Sequence, residues 1–225
     1  MFPERLTAGY RSFLGERLPR ERSRYAALAE SGQRPETMII GCCDSRVSPE
    51  VIFDASPGEL FVVRNVANLV PPYAPDSNYH GTSAALEFAV QALGVKHIVV
   101  LGHAHCGGIR AFVDEAAPLS PGDFIGKWMT MIAPAAERLG APGRDMADYL
   151  VRLERVAIEQ SLSNLMSFPY VRQRVEAGRL ELHGAYFGVA TGVLLVRDPV
   201  DGSFAPVAEP RARRRSVGRA EGSEG

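Results

Sequence analysis

The sequence predicts an α/β protein with a mainly parallel central β-sheet, an antiparallel edge strand, flanking helices and an N-terminal helical arm. Short apolar runs of strand character alternate with stretches of helical periodicity, at 38–40, 60–63 and 98–101. This alternation is typical of parallel sheets with helices on their faces. Two later runs, 180–189 and 193–197, are joined by the turn residues 190–192 and predict a hairpin. The hairpin would supply the antiparallel edge.

The helices are predicted from apolar spacing and from their start and stop residues. Residues 4–30 carry apolar side chains at helical spacing on both sides of Pro19, which predicts two amphipathic pieces. From Thr82 to Leu93 the chain is almost entirely apolar, with Thr82 or Ser83 as cap and Gly94 as the stop, so we expect a deeply buried helix. Further helices are predicted at 109–115, 124–139, 145–166 and 170–177.

The composition indicates one domain over residues 1–208 and a disordered tail over 209–225, where five arginines lie among small polar residues. A hydrophobic content of 46% and a net charge of −1 give no indication of nucleic-acid binding. No apolar run approaches the roughly 20 residues that span a bilayer. Charged residues recur through the first 33 positions, where a signal peptide would be apolar, so we expect a cytoplasmic protein with reduced cysteines.

Two motifs, Gly41–Val47 and Gly102–Gly108, each follow a predicted strand. If these strands are adjacent and parallel, Cys42, His103 and Cys106 meet at the carboxyl edge of the sheet, where α/β proteins bind ligands. Two thiolates and one imidazole, with a fourth position left to water or a carboxylate, are typical of catalytic zinc. The sequence therefore predicts a Zn²⁺ site.

Asp44 and Arg46 follow the first ligand at the spacing needed to act on such a site. Two thiolates leave Zn²⁺ formally neutral, so a bound water needs help to ionise. Asp44 either accepts a hydrogen bond from the zinc-bound hydroxide or coordinates zinc itself, and a charge-assisted pair with Arg46 would decide between these states.

The same residues have possible uses other than catalysis. A closed structural zinc site needs a fourth ligand, and the spare candidates, Cys43 and His105, are adjacent to ligands; we expect Cys43 to be structural and His105 a loop residue rather than a proton carrier. A C-x-x-C redox motif is absent. A zinc or thiol sensor with Asp44 as a permanent ligand stays open. The remaining histidines are interpreted as capping or partly buried residues: His80, His97 and His183.

The motif C-x-D-S-R at 42–46, together with G-H-x-x-C-G at 102–107, resembles the signature of the β-class carbonic anhydrases, and the similarity extends from about residue 33 to 192. The resemblance implies reversible hydration of carbon dioxide to bicarbonate and a proton by zinc-bound hydroxide. It assigns zinc binding to the two cysteines and the histidine, and catalysis to Asp44 and Arg46. It also implies a homodimer or homotetramer, with the amino-terminal arm and the 82–93 helix as interface candidates.

The same resemblance suggests a substrate pocket for carbon dioxide and bicarbonate, an amide donor in apolar surroundings. Its residues would be Gln33, Phe61, Val66, Phe88 and Gly107. Some relatives hydrolyse carbonyl sulfide or carbon disulfide with the same zinc site, and the ligand pattern leaves that alternative open.

The chain departs from one subgroup of that family. These relatives bind inhibitory bicarbonate through a Trp, an Arg and a Tyr, whereas the corresponding positions here are Ile39, Arg64 and Phe187. We therefore expect this chain to lack that inhibitory site.

Overall fold

The computed structural model describes residues 1–76, 78–114 and 124–207. These residues contain a six-stranded sheet of order β2-β1-β3-β4-β5-β6, in which the first four strands are parallel and the last two antiparallel. The strands are β1 (Thr37–Cys42), β2 (Leu60–Asn65), β3 (His97–His103), β4 (Glu181–Phe187), β5 (Leu194–Arg197) and β6 (Phe204–Pro206). The mainly parallel sheet is confirmed.

Helices connect the strands and cover both faces of the sheet. The α-helices are α1 (Glu4–Ser12), α2 (Leu18–Ser31), α3 (Pro49–Ile52), α4 (Gly81–Glu87), α5 (Gly107–Asp114), α6 (Phe124–Met129), α7 (Ala133–Leu139), α8 (Met146–Leu165) and α9 (Pro169–Glu176). Short 3₁₀ turns lie at Val66–Asn68 and Thr130–Ile132. Among the described helices, none combines the length and apolar character needed to cross a bilayer.

The antiparallel edge contains two strands rather than the single one predicted. β5 pairs with β4 as expected, and β6 then adds to β5. β6 has three residues and ends at Pro206, which cannot donate to a sheet ladder and is tolerated at an edge. A strand this short has too few positions to show an alternating pattern, so it could not be predicted from the sequence.

The pairing of β1 with β3 brings the two sequence motifs together. Thr37 lies opposite His97 and Gly41 opposite Leu101, so both strands end at the same edge. The central apolar side chains Met38, Ile40 and Ile98 are fully buried. This register is the arrangement on which the predicted convergence of ligands depends.

Helix α8 joins the two main apolar cores. Leu153 packs in the core beneath α5 and the ligand cysteines, and Ile158 packs in the core between the sheet and α4. The helix begins where the sequence predicts, because the Asp145 carboxylate accepts the backbone N–H of Asp148 at 3.0 Å.

The predicted buried helix at 82–93 is only half buried within the chain. α4 continues as a π-helical turn over Phe88–Leu93 and stops at Gly94, whose φ is 68°. Leu86, Ala89 and Val90 are buried on one face, but Phe88 is 50% exposed on the other. The prediction of a side-chain cap was wrong, since the helix starts after His80 without one.

The amino-terminal arm comprises α1, a π-helical turn at Phe13–Arg17 and α2. Pro19, which was predicted to separate two helical pieces, lies instead in the first turn of α2, where proline is tolerated. Neither helix has a buried residue, and apolar side chains such as Leu6 and Tyr10 are exposed. Arg24 connects the arm to the rest of the domain: its Nε donates a hydrogen bond to the Pro57 carbonyl oxygen at 2.7 Å. The predicted disordered tail, 209–225, lies outside the described residues.

Candidate metal centre

Cys42, His103 and Cys106 lie together at the carboxyl edge of the sheet. Cys42 is the last residue of β1, His103 the last of β3, and Cys106 precedes α5. Their ligating atoms are all within 4.8 Å of one another, and the three residues are 5%, 1% and 2% exposed. The parallel pairing of β1 with β3 thus produces the predicted cluster of soft donors.

The His103 ring is oriented as a metal ligand. Nδ1 lies 2.9 Å from the Ala104 carbonyl oxygen, which makes Nδ1 the protonated nitrogen and leaves a lone pair on Nε2. Nε2 is buried without a hydrogen-bond partner among the described residues. A buried polar atom without a partner is costly unless something else satisfies it, and a cation held by the two sulfurs would do so.

The two thiols are electrostatically coupled. Hydrogen bonding with the Cys106 thiol lowers the pKa of Cys42 well below its ordinary value. The same bond, together with burial, raises the pKa of Cys106, although the N–H groups of Gly108 and Ile109 at the start of α5 oppose the rise. Both sulfurs can ionise only if a cation lies between them. The residues present therefore fit Zn²⁺.

Arg46 holds the Asp44 carboxylate beside the ligand cluster. Arg46 Nε donates to Asp44 Oδ1 at 2.9 Å, and Nη2 donates to Oδ2 at 2.6 Å. Nη2 also donates to the His105 carbonyl oxygen at 3.1 Å. The pair lowers the pKa of Asp44 below the usual carboxyl range, and Asp44 Oδ2 lies 4.0 Å from His103 Nε2. The predicted charge-assisted pair is present in the structure.

The backbone around the cluster adopts conformations that non-glycine residues rarely use. Ala67, Asn68 and His105 have φ values of 63°, 48° and 58°. Ala67 and Asn68 follow β2, whose carboxyl end lies beside that of β1. Gly108 packs so closely that an added Cβ would lie 2.8 Å from Val66 Cγ1. Left-handed conformations at non-glycine residues cost energy and cluster at functional sites.

A buried carboxylate behind Cys106 was missed by the sequence analysis. Glu154 on α8 is 4% exposed; its Oε1 accepts the Cys106 backbone N–H at 2.9 Å, and its Oε2 accepts the Tyr186 hydroxyl at 2.6 Å. Burial, followed by this hydrogen bond, raises the pKa of Tyr186, which therefore stays a donor. The available signal was a single acid among apolar residues on the buried face of α8, next to Leu153 and one turn before Ile158.

A mainly apolar cavity of about 950 Å³ lies against the loop after β1 and the end of β2. Cys43, Asn65 and Val66 contribute to its wall, together with residues of α4 and α6. Cys43 is exposed and lies outside the ligand cluster. Of the predicted substrate residues, only Val66 lines this cavity.

The other predicted substrate residues divide into two groups. Gly107 opens α5 next to Cys106, and a Cβ added there would contact nothing within 4 Å. Phe61 is the second residue of β2, about 13 Å of strand rise before its carboxyl end. It packs against Phe88 with ring centroids 5.9 Å apart. Gln33 is exposed in the segment before β1.

Arg64 is engaged with the backbone of the first motif. Its Nε donates to the Cys42 carbonyl oxygen at 2.8 Å, and Nη2 donates to the Asp44 carbonyl oxygen at 2.7 Å. Ile39 and Phe187 pack in a separate apolar cluster. The guanidinium therefore orients the loop that carries Asp44.

Comparison with known proteins agrees with this geometry. The family model described as carbonic anhydrase matches residues 37–194. The chain is 38% identical over 194 residues to beta carbonic anhydrase 3 of Arabidopsis thaliana, covering 84% of this chain and 74% of that protein. The solved β-carbonic anhydrase CcaA matches with a TM-score of 0.79 and 28% identity, over 92% of each chain. A tetrameric β-carbonic anhydrase of Sordaria macrospora matches with a TM-score of 0.74 and 30% identity, over 89% of this chain and 96% of that one.

A parallel α/β sheet with a buried Cys₂His donor set at its carboxyl edge defines a zinc metalloenzyme. The chain belongs to the β-class carbonic anhydrase family. It is an enzyme that uses zinc for the reversible hydration of carbon dioxide to bicarbonate and a proton.

Proposed function

We propose that Cys42, His103 and Cys106 hold the zinc ion and that Asp44 and Arg46 are the catalytic pair. One observation carries this assignment: Arg46 fixes the Asp44 carboxylate with two hydrogen bonds, and Asp44 Oδ2 lies 4.0 Å from the unpartnered Nε2 of His103. An acceptor held at this distance from a ligand atom is within reach of a molecule bound beside the metal.

When bound, zinc supplies a Lewis acid that lowers the pKa of a coordinated water molecule. Two thiolates weaken that effect, so the protein has to assist. Asp44 does so by accepting a hydrogen bond from the attacking water, which orients the water toward carbon dioxide. The Arg46 side chain lowers the pKa of Asp44, so that the carboxylate remains an acceptor throughout the neutral range. While the pair is formed, Asp44 is directed to Arg46 rather than to the ligand cluster.

The substrate pocket is proposed to be shared between copies of the chain. Val66 on the cavity wall and Gly107 beside Cys106 would contact carbon dioxide in the chain that holds the zinc. Gln33, Phe61 and Phe88 lie away from the carboxyl edge of their own sheet, and Phe88 and Gln33 are exposed. We infer that these three contact the substrate bound by a second copy.

Exposed apolar side chains on the amino-terminal arm and after α4 indicate that copies of the chain assemble. The arm exposes Leu6, Tyr10 and Leu14, and the segment after α4 exposes Phe88. Exposed apolar groups of this kind are typical of surfaces that contact another protein chain. The tetrameric relative from Sordaria macrospora supports an oligomer. We propose a homodimer or a homotetramer in which these two surfaces are covered.

A reducing compartment, the cytoplasm, is the proposed location. All three cysteines are free, and two of them must be thiolates to bind zinc. An oxidising compartment would favour bonds between such thiols.

Stopped-flow hydration of carbon dioxide by the zinc-loaded protein tests the proposed chemistry. We expect turnover that rises with pH between about 6 and 9, because zinc held by these ligands would lower the pKa of water into or near that range. No measurable turnover across that range would contradict the proposal. Zinc retained without any turnover would favour a sensor, and faster hydrolysis of carbonyl sulfide than hydration of carbon dioxide would favour the alternative substrate.

Glu154 is proposed as a positioning residue, since it binds the backbone of Cys106 rather than the substrate. Glu154→Gln keeps one acceptor oxygen for the Cys106 N–H, replaces the acceptor of the Tyr186 hydroxyl by an NH₂ donor, and removes a negative charge behind the thiolate. We expect zinc to be retained and the pH midpoint of turnover to fall by roughly 0.5 to 1 unit, because a nearby negative charge disfavours ionisation of water. Tyr186→Phe, which keeps the charge, is the matched control. An unchanged midpoint in Glu154→Gln would assign the residue a purely structural role.

A further inference from the structure

A second cluster of metal-binding side chains lies at the opposite end of the sheet. His97 is the first residue of β3, and Glu181 and His183 are the first and third residues of β4. In the parallel register, His97 is opposite Glu181 and Val99 is opposite His183. Since side chains alternate with a period of two, all three residues point to the same face of the sheet.

The ligating atoms of this cluster already have the spacing of a metal site. His97 Nδ1 lies 3.2 Å from His183 Nε2, and Glu181 Oε2 lies 3.9 Å from the first nitrogen and 3.7 Å from the second. Ligands about 2.0–2.1 Å from a tetrahedral zinc ion are roughly 3.3 Å apart. Closing the two longer distances requires only a small movement of the exposed Glu181 side chain.

The charges of the cluster also suit a cation. Two imidazole nitrogens 3.2 Å apart cannot both be protonated without strong repulsion. Burial and the neighbouring His97 lower the pKa of His183, although Glu181 opposes this shift. Glu181 supplies a negative charge, and the nearby Lys96 is paired with Glu36. The histidine side chains are 39% and 36% exposed, so a cation can enter from solvent.

We propose that His97, Glu181 and His183 bind a divalent transition-metal ion of the Zn²⁺ class, separate from the catalytic zinc. Two imidazoles and a carboxylate are ligands that zinc accepts, and solvent would complete the coordination. The ion would join the beginnings of β3 and β4, the strands that also carry His103 and Tyr186 at their other ends. Because it would bind only the folded chain, it would raise the stability of the enzyme.

The test counts metal ions on the full-length protein loaded with one equivalent of zinc per chain. Calorimetric titration with further Zn²⁺ is expected to show a second equivalent, accompanied by a rise in the thermal unfolding midpoint. His183→Gln and Glu181→Gln should each weaken binding of the second zinc ion by at least about a hundredfold, because each variant removes a ligand and each ligand contributes several kcal/mol to binding. Turnover should stay unchanged, because neither residue belongs to the catalytic machinery. Glu181 is exposed, so its substitution tests the site even if His183→Gln folds poorly.

His80→Gln is the matched control, because His80 is a comparably exposed histidine paired with Asp76 outside the cluster. This variant should bind the second ion as the wild type does. The proposal is overturned if the wild type takes up only one zinc ion per chain, or if Glu181→Gln and His183→Gln bind the second ion with unchanged affinity.

Discussion

Replacing Cys106 by serine is expected to remove zinc from the enzyme and with it the hydration of carbon dioxide. The serine hydroxyl does not ionise near neutral pH, so the site loses one of its two anionic sulfurs. The N–H groups of Gly108 and Ile109 then face a neutral oxygen in a buried position. Zinc affinity should fall by on the order of a thousandfold or more, because each ligand contributes several kcal/mol to binding.

The measurement for Cys106→Ser is zinc content after gel filtration, together with stopped-flow turnover. Cys43→Ser is the matched control: it makes the same atomic change next to Cys42, but at an exposed residue outside the ligand cluster, and should keep one equivalent in the catalytic site. Cys106→Ser protein that still carries its full catalytic zinc would show that the sulfur is not a ligand.

Asp44→Asn is expected to separate metal binding from turnover. Zinc should remain bound, because all three ligands are intact. Turnover should fall by about 10²- to 10⁴-fold, the usual contribution of a positioned acid–base group. An asparagine amide offers only one acceptor oxygen, and its NH₂ group would face the Arg46 guanidinium at the position of the present ion pair.

Asp148→Asn controls for the loss of a carboxylate, since Asp148 pairs with Arg152 on the surface at 2.8 Å. This variant should turn over as the wild type does. Near-normal turnover in Asp44→Asn would contradict the proposed role of Asp44.

The pH dependence of stability provides an independent check of the ion pair between Asp44 and Arg46. Arg46 hydrogen bonding lowers the pKa of Asp44, so the carboxylate is ionised at all pH values above the usual carboxyl range. Stability from the pair is therefore present at neutral pH and is lost only as the pH falls through the depressed pKa. In Arg46→Gln the pKa of Asp44 should rise toward its ordinary value.

The ligand set could be predicted from the sequence because each of the two ligand motifs follows an apolar strand. The parallel pairing of β1 with β3 then brings the two motifs to the same edge of the sheet. Glu154 could not be assigned, because its contact with Cys106 joins residues 48 positions apart and depends on how α8 packs. His97 and His183 were interpreted separately for the same reason. Only the register of β3 against β4 puts their ring nitrogens 3.2 Å apart.

The positions of the proposed substrate residues in the fold could not be predicted from the sequence. Phe61 and Phe88 contact each other, as two apolar residues of one pocket would. They lie away from the carboxyl edge of the sheet, and a sequence motif does not show that distance. Burial of the 82–93 segment was overestimated for a related reason. An apolar run indicates that a surface is covered, not whether its own chain covers it.

The paired thiols also make the ligand cluster vulnerable to oxidants. The two sulfurs lie within 4.8 Å of each other, so once an oxidant has converted one thiol to a sulfenic acid, attack by the second thiol releases water and forms a disulfide. A chain that has lost its zinc under oxidising conditions would have to be reduced before it could bind metal again. A zinc ion bound to both sulfurs would therefore protect them from oxidation to a disulfide, in addition to its part in the reaction.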